Sequence, residues 1–71
     1  MIKEHKYIVI LIDAKDYDKT ISINRFVFKH QALRFMRGNM TDETHAKIGN
    51  DIYFKRKKRI LNIITNKEFT A

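Results

Sequence analysis

The sequence predicts a small α+β domain, a four-stranded, mainly antiparallel sheet with the main helix on one face, in the order hairpin, helix, short helix, hairpin. Three observations carry that expectation. Apolar residues alternate with a period near two over residues 6–13 and 20–28, the period lengthens to about 3.6 from Lys29, and strand-forming residues return over residues 51–65.

Residues 6–13 read KYIVILID, with Tyr7, Val9 and Leu11 pointing one way and Ile8, Ile10 and Ile12 the other. Both faces are apolar, so this strand should be covered on both sides, by a helix and by a partner or a curled sheet. The Asp-rich residues 13–19 suit a hairpin loop. Over residues 20–28 the apolar parity moves from Ile21 and Ile23 to Phe26 and Phe28, which predicts a β-bulge near Asn24 and Arg25.

From Lys29, the residues Ala32, Leu33, Phe35, Met36 and Met40 fall on one side of a helix, whereas His30, Arg34 and Arg37 recur at i, i+4 and i+7. Gly38 or Asn39 supplies the stop. Thr41 ahead of Asp42 and Glu43 reads as the N-cap of a helix of one or two turns that Gly49 and Asn50 close. Ile52, Tyr53 and Phe54, then residues 60–65, form the second hairpin around a basic tip. Residues 66–71 are expected to be a loosely held tail.

Seventy-one residues make a single domain over 1–71. A chain this short buries only about 60% of the surface it exposes when unfolded, so its core is thin and oligomerisation would help it. A homodimer, with sheets packed or joined, would satisfy the doubly apolar first strand. The absence of cysteine excludes disulfides, thiol catalysis and thiolate metal sites, and makes a cytoplasmic location the simplest expectation. The apolar run from Ile8 to Ile12 falls far short of the ~18 residues that span a bilayer, so no membrane partner is expected. Abundant Ile, Lys, Asn and Phe, with no Pro and two Gly, follow AT-rich codon usage and fit a low-GC bacterium, its phage or a plasmid.

Fifteen Lys plus Arg against eight Asp plus Glu give a net charge of +7, which favours nucleic acid, DNA or RNA, as partner. The densest cationic run is Lys55, Arg56, Lys57, Lys58 and Arg59, beside Tyr53 and Phe54. Cations that neutralise a phosphate backbone next to rings that stack on bases are the combination used on single strands. Solvation of five like charges at a hairpin tip, where Lys also discourages edge-to-edge aggregation, explains the same run without a ligand. Strand alternation would place Lys55, Lys57 and Arg59 with Tyr53, and Arg56 and Lys58 with Phe54. Arg34 and Arg37, with His30 and Lys29, add a stripe that could hold phosphates; an ordinary solvated face, with the arginines placed favourably near the helix C-terminus, already explains it.

Other chemistry finds little support. Asp13, Asp16 and Asp18 lack the Gly and distal acid of a calcium loop and read as a turn. His5, His30 and His45 lack the spacing that sets two imidazoles on one helical turn for zinc. Phosphate-cradling glycine loops, nucleophile elbows and paired catalytic carboxylates are missing, so the chain is expected to be non-enzymatic, with neither metal nor cofactor. A rival organisation comes from residues 41–62, which superficially resemble a helix-turn-helix. That resemblance would make residues 55, 56, 58 and 59 groove-facing, but Ala46 and Gly49 are three apart where that motif uses four. The leading expectation is a nucleic-acid-binding module that grips phosphates through its C-terminal hairpin. The alternative is a small phage or mobile-element protein that binds and inhibits or adapts a host protein.

Overall fold

The computed structural model describes residues 6–70. In chain order the elements are β1 (Tyr7–Asp13), β2 (Thr20–Phe26), α1 (Lys29–Asn39), β3 (Thr44–Ile48), β4 (Asp51–Arg56) and β5 (Arg59–Asn62). The strands form one antiparallel sheet in the order β2-β1-β3-β4-β5. The α+β class and both hairpins are as the sequence predicts, and the sheet has five strands instead of four.

The fifth strand is β3, where a short helix was expected. Alternation explains the change: Ala46 and Ile48 turn to the core side while His45 and Lys47 turn away, and a segment this short cannot sustain an isolated helix. Pairing of Leu11 with Ala46 gives β1 a second neighbour and makes it an interior strand. Thr41 Oγ1 accepts the Glu43 N–H at 3.2 Å, closing a turn instead of capping a helix. Gly49, at φ 60, and Asn50 form a two-residue hairpin between Ile48 and Asp51; its first position requires positive φ, which Gly supplies. The helix-turn-helix resemblance is thereby overturned, because residues 44–62 fold as three strands.

α1 lays Ala32, Leu33 and Met36 on Val9, Leu11, Ala46 and Ile60, and Met40 and Phe69 complete the core. Full burial of such side chains contributes roughly 1.5–3 kcal/mol each for the larger ones. The helix ends because Met40 becomes extended, at φ −80 and ψ 141; Gly38 stays inside the helix. Two aromatic contacts close the flanks, Phe26 with Phe35 at 5.3 Å between centroids and Tyr53 with Phe69 at 5.2 Å.

The bulge in β2 lies opposite Leu11 and Ile12, with Ile21 the extra residue, and not near Asn24 and Arg25. No irregularity is needed there, since Ile23 and Phe26 are an odd number of residues apart and lie on opposite faces of a regular strand. On the helix side of β1, Val9 and Leu11 are buried and Tyr7 half-buried; on the other, Ile12 is buried, but Ile8 is 39% exposed and its diagonal neighbour Ile23 52%.

Residues 66–70 run back along β5 and are not a loose tail. Asn62 makes the reversal, its Oδ1 accepting the N–H groups of Ile64 (2.9 Å) and Thr65 (3.1 Å). The Phe69 N–H then donates to the Ile60 carbonyl at 2.8 Å, and the Phe69 ring is buried. Replacement of Phe69 by Ala is expected to cost about 3 kcal/mol or more and lower the melting temperature by over ten degrees in thermal denaturation. A loose tail would leave the melting temperature unchanged.

Candidate nucleic-acid interface

Lys57 and Lys58 are the two turn residues of the β4–β5 hairpin, and Arg56 faces Arg59 as its last pair. The turn interrupts the alternation on which the sequence expectation rested. Arg59 shares the Phe54 face with Arg56, not the face of Lys55 and Tyr53. Like charges directly opposite in a ladder destabilise it. Glu68, 3.6 Å from the well-solvated Arg59, offsets little of that repulsion. Lys57 adopts φ 58, a conformation that costs a residue with a Cβ of order 1 kcal/mol.

On the other side of the hairpin the basic run meets the helix. Lys55 Nζ donates to the Arg37 carbonyl at 2.6 Å, satisfying an unpaired carbonyl at the α1 C-terminus and bringing a cation to its negative end. Arg37, Lys55 and Lys58 line one depression of about 400 Å³. His30, Leu33, Arg34 and Arg37 line the next, about 390 Å³. Arg37 belongs to both, so the helix stripe and the hairpin form one surface. Arg34 in turn borders a third cleft with Arg25, Phe26, Val27, Gln31 and Phe35. From His30 to Arg37 the helix rises about 10 Å.

Tyr53 is not on this surface. It lies on the helix face of β4, half buried against Phe69, and burial pushes its hydroxyl pKa up, with Asp51 adding and an Asn62 hydrogen bond opposing. Arg56 and Arg59 project from the opposite face of the hairpin. Lys29 sits over the Phe69 ring at 4.9 Å, apart from the stripe. The sequence reading missed Arg25, Gln31 and Phe35, since nothing in the period of β2 or α1 says that the end of one strand will border the first turns of the helix.

Acidic groups gather elsewhere on the same end of the sheet. Asp13 and Asp16 accept backbone N–H groups within their loop, at 2.8 Å from Lys15 to Asp13 and 3.1 Å from Asp18 to Asp16. The Lys15 hydrogen bond holds the Asp13 carboxyl below its usual pKa. Asp42 and Glu43 stand beside Asp13, the Ala14 N–H donating to the Glu43 carbonyl at 3.0 Å. Carboxylates thus cluster around the β1–β2 loop, interleaved with Lys15 and Lys19, whereas the helix stripe and the β4–β5 hairpin carry the densest run of cations. Tyr17 Oη lies 3.1 Å from His45 Nδ1, and burial lowers the His45 pKa from 6.5.

Among the described residues no group of three or more His, Asp or Glu could hold a metal ion, and no helix is long and apolar enough to cross a membrane. His5 lies outside the described residues. No family model, curated protein or solved structure matches the chain.

Substitution of Lys57 by Gly should relieve the positive-φ conformation and raise the melting temperature by several degrees, while removing one cation from the tip. His45 is held neutral by the fold, so its contribution to stability is complete above pH 6.5 and is lost as the pH falls through its lowered folded pKa. Melting temperatures between pH 7.5 and 5 should fall in the wild type and fall less in His45→Gln.

Proposed function

We propose that the protein is a non-enzymatic, cytoplasmic nucleic-acid-binding module that contacts the phosphate backbone. The observation that supports this reading most is the sharing of Arg37 between the helix stripe and the hairpin, which turns two separate basic features of the sequence into one cationic track. Its contacts are Arg34, Arg37, Lys55 and Lys58, with Lys57, Arg56 and Arg59 adding long-range attraction at the tip. Point charges on phosphates position a ligand without reading its bases, so binding is largely tolerant of sequence.

The retention of Lys57 at positive φ and of Arg56 opposite Arg59 also favours this reading. Both choices oppose local stability, and such departures concentrate at functional sites. The second reading, a docking protein for a host partner, draws on Ile8, Ile21 and Ile23, which are exposed on or beside the edge strand β2. An edge of that kind accepts an added strand, from another protein or from a second copy.

Fluorescence anisotropy with labelled DNA and RNA over a salt series tests the proposal. Wild-type affinity should fall steeply with salt, and Arg37→Glu with Lys58→Glu should weaken binding at least tenfold and flatten the log–log slope by about one per lost phosphate contact. Absence of binding at low salt to every probe would overturn it.

A further inference from the structure

The cationic track ends, at the β2 side, in a cleft unlike the rest of it. Arg25, Phe26, Val27, Gln31, Arg34 and Phe35 line an open cleft of about 470 Å³. Phe26 and Phe35 are half buried, with ring planes 44° apart. Arg34 is exposed beside it, and Arg25, which pairs with Ile8 on the other face of the sheet, borders it from the edge strand. The Gln31 side-chain oxygen accepts the Phe28 N–H at 3.3 Å, and its Nε2 hydrogens have no partner among the described residues. Arg34 is the hinge of the whole arrangement, since it lines both this cleft and the His30–Arg37 depression.

We propose that this cleft receives an unstacked base of a single-stranded nucleic acid whose phosphates lie along Arg34, Arg37, Lys55 and Lys58. The proposal rests on the phosphate-binding reading above and deepens it by choosing the form of nucleic acid. Aromatic side chains offer a stacking partner that any base can use, and guanidinium groups can both stack and hold the phosphates on either side. An amide with free donors suits the acceptor atoms of a base edge. In a duplex the bases are stacked on their neighbours and cannot enter without being extruded, which costs a few kcal/mol. The mixed chemistry of the cleft, two half-buried rings beside the exposed Arg34, thus selects single strands, while the track beyond it would hold either form.

The test compares three probes of equal length, about 12 nucleotides each: a thymidine oligonucleotide, the same backbone without bases, and a duplex. Wild-type protein should bind the thymidine strand about tenfold more tightly than the abasic strand, with the duplex no tighter than the abasic one. Phe35→Leu keeps an apolar side chain of similar size but no ring face. It should bring thymidine binding down to the abasic level without changing abasic binding, and exposed Gln31→Ala should lose part of the preference with the fold intact. Equal wild-type affinity for thymidine and abasic strands, or duplex binding as tight as single-strand binding, overturns base insertion while leaving phosphate binding in place. Failure of all three probes to bind overturns the phosphate-binding reading itself.

Discussion

A helix about 10–12 Å across cannot cover five strands spaced about 4.8 Å apart, and the whole structure depends on how this shortfall is met. Met36, fully buried, lies at the centre of the contact with Val9, Leu11 and Ala46 as neighbours in the same core. Beyond the reach of the helix two aromatic pairs extend the cover, Phe26 with Phe35 toward β2 and Tyr53 with Phe69 toward β5. The β5 flank is sealed by the returning chain at residues 66–70. No such segment covers the β2 flank among the described residues, and its aromatic pair borders an open cleft.

The same placement of α1 decides which charges meet. With its C-terminus beside β4, the helix offers a carbonyl to Lys55, and that hydrogen bond draws the hairpin and the arginine stripe together. On the other side of the same sheet end, the carboxylates of Asp13, Asp42 and Glu43 cluster. Charge is consequently distributed unevenly, which a net charge of +7 alone would not imply.

The helix-free face of the sheet has a different character. Ile10 pairs with Ile23 and Lys47, and Ile8 with Arg25, so isoleucines and cations are interleaved across β2, β1 and β3. Face-to-face packing of two copies would bring these cations together and would have to overcome their repulsion. Edge pairing through β2 avoids that opposition.

The class of fold was legible because period two in β1 and period 3.6 in α1 are local properties, set by which side chains a strand or helix turns inward. The apolar side of α1, the basic content of the hairpin tip and the Asp-rich turn were legible for the same reason. Residues 41–50 were not, since Thr41, Asp42 and Glu43 form a local helix-start signal that a core-facing Ala46 and a vacant edge of β1 override. The value of Phe69 was likewise invisible, because one aromatic in a polar tail has no period. By itself the sequence determined β1, β2, α1, the basic hairpin and the sign of the charge, through propensity and patterning along the chain. Tertiary structure alone decided which cations share a surface, because Arg37 and Lys55, eighteen residues apart, meet only when helix and sheet have packed.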